Sequence, residues 1–108
     1  MKFAIGIPTY NRDDVLTNTI EQALNQKRPA DEIIVIDQTS DHSYDVKLKL
    51  EHWAEAGKIK YFFQAQPSLP AARNLALSVT TCEVIIFIDD DVELPNEYYY
   101  FTSCNTKS

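Results

Sequence analysis

The chain has 108 residues, one domain's length, and its 16 acidic and 10 basic side chains leave a formal charge of −6, which argues against binding a phosphate backbone through a basic face. Hydrophobic residues at 44% and charged residues at 24% describe a folded globular domain rather than a disordered chain. With only Gly6 and Gly57, the chain can write neither the three-glycine dinucleotide fingerprint nor a P-loop, so any phosphorylated ligand must be held by other means.

Phe3 to Ile7 is a short apolar run closed by Pro8, the pattern of a strand, and Pro8 falls too early for a signal-peptide core to develop. Asp13 then stands where a helix cap is expected. Val15/Leu16, Thr19/Ile20 and Ala23/Leu24 recur on one face; Asp13 and Asp14 lie at the positive end of the dipole, Lys27 and Arg28 at the negative end, and Pro29 stops the helix. Ile33 to Ile36 is unbroken and β-branched, as in a strand covered on both faces. Asp41, His42 and Ser43 offer turn and capping chemistry. They precede a second helical stripe of Val46, Leu50, Trp53 and Ala54, with Trp53 in the core and Gly57 as the stop. Ile59 to Phe63 reads as a third strand, Ala71/Ala72, Leu75/Ala76 and Val79 as a third helix after Pro70, and Val84 to Ile88 as a fourth strand. That last run, five residues, is the longest strictly aliphatic-aromatic one, too short to cross a membrane.

Strand centres about 25–30 residues apart match successive βαβ units. The expected fold is therefore α/β: a Rossmann-like three-layer α/β/α sandwich with a mostly parallel sheet and right-handed crossovers. Residues 1–97 form that domain, and residues 98–108, opening at Tyr98, are a C-terminal tail, either a short helix or without fixed structure. Cys82 and Cys104 have no metal-ligand spacing and are expected as reduced thiols of a cytoplasmic protein.

In open parallel sheets ligands bind beyond the carboxyl ends of the strands. The first strand delivers Pro8, Thr9, Tyr10, Asn11 and Arg12 there, the second Asp37, Gln38, Thr39 and Ser40, and the fourth Asp89, Asp90 and Asp91. The three aspartates carry the strongest signal, since two carboxylates ~4 Å apart repel by on the order of 4 kcal/mol at an effective dielectric near 20. A divalent cation, magnesium or manganese, would relieve the repulsion, and a solvated turn or a helix cap would do so as well. Arg73, in the first turn of the third helix, suits a phosphate or a surface salt bridge. Tyr10 suits stacking on a base or a half-buried loop position, and Asp37 suits a base, a ribose or the cap of its own turn. His42 and His52 are assigned no role.

Four segments together carry a resemblance. Ile7-Pro8-Thr9-Tyr10-Asn11-Arg12, Val35-Ile36-Asp37-Gln38-Thr39-Ser40, Leu69-Pro70-Ala71-Ala72-Arg73-Asn74 and Phe87-Ile88-Asp89-Asp90-Asp91-Val92 look like the ordered signatures of family 2 glycosyltransferases, which have the GT-A fold and use nucleotide-sugar donors. They span nearly the whole chain; each is weak alone and the set is specific. The resemblance implies that Pro8, Thr9 and Tyr10 line the base pocket beside Arg12, that Asp37 and Gln38 contact the nucleoside, and that Arg73 reaches the diphosphate. It further implies that Asp89 and Asp91 hold Mn2+ or Mg2+ as an Asp-x-Asp motif, with Asp90 near the ribose or sugar. The implied partners are a UDP-, GDP- or dTDP-linked sugar and a carbohydrate or lipid-linked acceptor.

Two departures stand out. Many members carry a second acid after the strand-two aspartate, where this chain has Gln38. In the family the acceptor site and the general base follow the Asp-x-Asp motif, whereas this chain ends 17 residues beyond Asp91 and no residue matches the base. The expectation is a donor-binding half that holds nucleotide and metal with little or no transfer, and with self-association through uncovered apolar surface. Two competitors are a non-enzymatic domain that only folds or pairs with a partner, and an aspartate-nucleophile phosphatase, whose motif fails at Glu93.

Overall fold

The computed structural model describes residues 2–26 and 30–88. Strands and helices alternate as expected: β1 (Phe3–Thr9), α1 (Asp14–Leu24), β2 (Glu32–Asp37), α2 (Tyr44–Glu55), β3 (Lys60–Phe63), α3 (Leu69–Val79) and β4 (Val84–Phe87). The four strands form one sheet in the order β3-β2-β1-β4, every neighbouring pair parallel. The unbroken apolar runs of β1 and β2 follow from their central position, since helices cover both of their faces.

Strand alternation divides the core into two layers. On one face Ile5, Ile7, Ile33 and Val35 pack against Leu16, Ile20 and Ala23 of α1 and Val46 and Leu50 of α2. On the other, Ala4, Ile34 and Ile36 meet Ala72 and Ala76 of α3. The alanines recur one turn apart, and their small size lets α3 lie close to the sheet. Trp53 is half-buried and packs against the first of these clusters.

The helix ends depart from expectation at α1. Ser43 and Ser68 cap α2 and α3, accepting from the Val46 and Ala71 amides. Asp13 occupies the N-cap position of α1 but makes no capping hydrogen bond, because its carboxylate turns to another partner. Helix α1 closes at Leu24, so Lys27 and Arg28 fall beyond its last turn; Lys27, Arg28 and Pro29 lie outside the described residues. Helix α2 ends in a Schellman arrangement. The Gly57 amide donates to the Ala54 carbonyl and the Lys58 amide to the Trp53 carbonyl, with Gly57 at φ 78°. A Cβ on Gly57 would meet nothing within 4 Å, so Gly57→Ala tests the backbone alone. It is expected to cost about 1 kcal/mol and to lower the melting temperature by about 4–8 °C in a thermal scan.

Glu32 fastens the far end of α3 to the sheet. It accepts from Thr80, Thr81 and Lys60; burial pushes its carboxyl up, but those hydrogen bonds prevail and hold it at about 2. Asp89, Asp90, Asp91, Cys104 and the 98–108 tail lie outside the described residues.

Candidate functional site

The carboxyl ends of β1 and β2 stand side by side, with Thr9 paired in register to Asp37. Past Thr9 the chain turns through Asn11 at φ 56°, a left-handed conformation that asparagine tolerates better than most residues. The Asn11 amide donates to Thr39 Oγ1 at 2.7 Å, tying the two loops together. Between these loops and the start of α3 opens a cleft of about 460 Å3, lined by Pro8, Tyr10, Arg12, Gln38, Pro67, Ser68 and Leu69. Four side chains expected at the ends of two strands thus share one wall. Tyr10 is 51% exposed, its ring uncovered enough to receive a planar ligand.

Gln38 joins three parts of that wall. Its Nε2 donates to the Thr9 carbonyl at 3.3 Å, and its Oε1 accepts from the Ser68 amide at 2.6 Å and from Gln64 Nε2 at 3.2 Å. Ser68 is also the cap of α3, so the amide of Gln38 sets where that helix begins.

Asp37 faces the other way. By strand alternation it shares the α1/α2 face with Ile33 and Val35, and it is fully buried. Oδ1 accepts from the Thr39 amide at 3.0 Å, while Oδ2 accepts from Tyr61 Oη and meets His42 Nε2, each at 2.5 Å. The opposite ring nitrogen of His42 meets Asp13 Oδ1 at 2.5 Å, and Asp13 Oδ2 accepts from the Ser43 amide. This is where the carboxylate expected to cap α1 goes. Burial works against a charged His42 ring, but hydrogen bonds to Asp13 and Asp37 outweigh it and raise its pKa above the ordinary value. The hydrogen bond to His42 holds Asp13 below the usual carboxylate range, while burial and the Asp37 carboxylate push the Tyr61 phenol up. Thr9, also buried on this face, does not line the cleft among its described walls. A second cavity of about 330 Å3, between α2 and β3, is walled by His42, Tyr61, Leu50, Ala54 and Phe63, and of the residues expected past the strand ends it takes Thr39 and Ser40.

Arg73 lies one turn beyond Leu69 on the same side of α3. Its guanidinium sits over the Phe87 ring, 5.8 Å from the centroid, within cation–π range. The ring in turn fills the space that a side chain at position 6 would need: a Cβ on Gly6 would stand 2.8 Å from two ring carbons. Among the described residues, no group of three or more His, Cys, Asp or Glu is placed to hold a metal ion. No described helix is long and apolar enough to cross a membrane.

The sequence profile described as Glycosyl transferase family 2 matches residues 4–100. The chain belongs to glycosyltransferase family 2. An uncharacterized glycosyltransferase of Nostoc sp. is 36% identical over 99 residues, an alignment covering 90% of this chain and 30% of that protein. The structure of S. aureus TarS 1-349 in complex with UDP matches with a TM-score of 0.77 and 25% identity, over 96% of this chain and 31% of that one. A mannosyltransferase of Pyrobaculum calidifontis, solved with GDP-Man and Mn2+, shares the fold at a TM-score of 0.73 and 21% identity, over 89% of this chain and 29% of its own. The chain of this family 2 member thus spans about a third of these relatives' length, and its α/β fold is the one seen in GT-A glycosyltransferases.

Of the residues singled out in the sequence, the structure gathers Pro8, Tyr10, Arg12 and Gln38 on the cleft and places Arg73 on Phe87. It buries Thr9 and Asp37 on the opposite face, and Asp89, Asp90 and Asp91 lie outside the described residues. Sequence reading missed His42 and Tyr61 as partners of Asp37, and Ser68 as a wall of the cleft.

Proposed function

We propose that this chain is the donor-binding half of a nucleotide-sugar-dependent glycosyltransferase. The observation that carries the reading is the cleft at the end of β1, the strand from which the sheet grows in both directions and the place where open α/β sheets take nucleotides. Tyr10 and Pro8 offer a flat seat for a base, and Arg73, held on Phe87, offers a cation to a diphosphate. Asp37, committed to His42, Tyr61 and the Thr39 amide, supports the nucleoside's seat by fixing the loop that follows β2. Asp89 and Asp91 would hold Mn2+ or Mg2+, with Asp90 near the ribose or sugar. A bound metal supplies charge stabilisation for a leaving nucleoside diphosphate. The reaction of the whole protein is inverting transfer of a sugar to a carbohydrate or lipid-linked hydroxyl, and this chain alone binds donor without robust turnover. TarS in complex with UDP and the mannosyltransferase with GDP-Man and Mn2+ support the ligand class.

Thermal unfolding with UDP, GDP and dTDP, each with and without Mn2+, tests this. Ligand at ~100 times its dissociation constant adds roughly 2.7 kcal/mol, which moves the midpoint by more than about 10 °C in a domain of this size. The expected result is a base-selective shift whose metal-dependent part disappears in Asp91→Asn. A cooperatively melting chain that no nucleotide shifts would leave the fold without the donor site, and a partner-binding role would replace this reading.

A further inference from the structure

The amide of Gln38 is oriented by two backbone groups whose roles are not interchangeable. The Ser68 N–H can only donate, and it donates to Oε1 at 2.6 Å; the Thr9 carbonyl can only accept, and it accepts from Nε2 at 3.3 Å. Exchanging O and N would set donor against donor and acceptor against acceptor, so the orientation is determined. Gln64 Nε2 lies 3.2 Å from the same Oε1 and shares its two hydrogens among that oxygen and the Gln66 and Ser68 carbonyls. Of the four hydrogen-bonding capacities of this side chain, one Nε2 hydrogen is left without a partner among the described residues. Gln38 lines the cleft with its oxygen held by the Ser68 amide, so the group it has free to offer a ligand is a donor.

We propose that Gln38 sets base specificity by donating to an acceptor atom of the base, a carbonyl oxygen or an unprotonated ring nitrogen, and that the imide N–H of the base is not read at this position. The substrate class is a nucleoside diphosphate sugar whose base turns an acceptor edge to residue 38. A carboxylate in the same place has the opposite polarity: it accepts only, favours an N–H edge and repels a carbonyl. This inference rests on the nucleotide-binding reading above.

Titration calorimetry of the 108-residue chain with UDP, CDP, GDP and dTDP in the presence of Mn2+ identifies the tightest nucleotide, and the same titrations follow for two variants. Gln38→Glu keeps an oxygen for the Ser68 and Gln64 hydrogens but offers the base no donor. It is expected to weaken the preferred nucleotide about tenfold or more. Gln38→Met removes the donor without adding charge and is expected to weaken the same nucleotide at least about threefold. Ligand-free melting checks that each variant is folded, and Gln38→Met decides the matter if Gln38→Glu is not. Tighter binding of UDP or dTDP by Gln38→Glu would mean that the position reads an imide N–H, and tighter binding of GDP that it reads the lactam N–H of guanine; either would overturn the inference. Unchanged affinity in Gln38→Met would also overturn it, since the donor would then not touch the base. Absence of binding by the unsubstituted chain is a different result, and it falls on the nucleotide-binding reading instead.

Discussion

Replacing His42 by alanine is expected to cost about 3–5 kcal/mol, the usual penalty for removing one partner from a buried charge pair. Asp37 is fully buried, and without the imidazole its carboxylate would retain only the Tyr61 hydroxyl and the Thr39 amide. In a domain of this length such a loss lowers the melting temperature by about 12 °C or more, readable in a thermal scan. The same network gives stability a pH signature. The His42 pKa is raised in the folded state, so its contribution is complete below its unfolded value, about 6.5, and is lost as pH rises through the folded value. The Asp13 pKa is lowered, so its contribution is present above about 3.9 and is lost as pH falls through the folded value. Urea unfolding should therefore show greatest stability between about pH 4 and 6.5, with a decline on the alkaline side that His42→Ala removes. A His42→Ala chain with the same midpoint and the same alkaline decline would show that the imidazole is not charged between the two aspartates.

Gly6→Ala is the second large effect. Its Cβ would stand 2.8 Å from both Phe87 Cδ1 and Cε1, closer than such contacts occur, while Ile85 crowds from 3.3 Å. Because Gly6 pairs directly with Phe87 across the β1–β4 ladder, the ring must swing away. Overpacking of this kind costs about 1–3 kcal/mol. Arg73 loses its aromatic seat in the same movement. The substitution is expected to lower the melting temperature by about 5–20 °C and to weaken nucleoside diphosphates more than nucleosides. Phe87→Leu in the Gly6→Ala background should recover part of the stability without recovering the diphosphate preference. Additive losses in the double variant would show that the glycine and the ring are uncoupled.

The order of elements was legible because burial on both faces writes itself into Ile33–Ile36 as an unbroken apolar run, and amphipathic helices write themselves at a spacing of four. Half of the cleft was legible for a topological reason: Pro8, Tyr10, Arg12 and Gln38 all follow strand ends of one parallel sheet. The His42 network was not. Its members are brought together across sequence separations of 29 and 24 residues, and a histidine in a polar turn looks the same whether it faces solvent or bridges two carboxylates. Asp13 misled for a related reason. It has the position of a helix cap, but its carboxylate meets the His42 ring, whose pKa it helps to raise, instead of the amides of its own helix. A usable hint was present in Asp37 itself, since a carboxylate ending an apolar strand needs a partner, and His42 stands five residues on.

Asp37 and Gln38 are neighbours in the chain, yet strand alternation sends one to the α1/α2 layer and the other to the cleft. The pleat thereby separates two kinds of inheritance. A change at position 38 trades hydrogen bonds among loops and alters the lining of the cleft, while the hydrophobic layers on either side keep their contacts. A change at position 37 leaves a histidine, a tyrosine and the Thr39 amide without their common anchor. If Gln38 reads the base as proposed, donor choice can change at one residue while the residue before it is held by its buried partners. A single-residue insertion in β2 would deliver the Asp37 carboxylate to the cleft, and a single-residue deletion would deliver the Gln38 amide to the buried network.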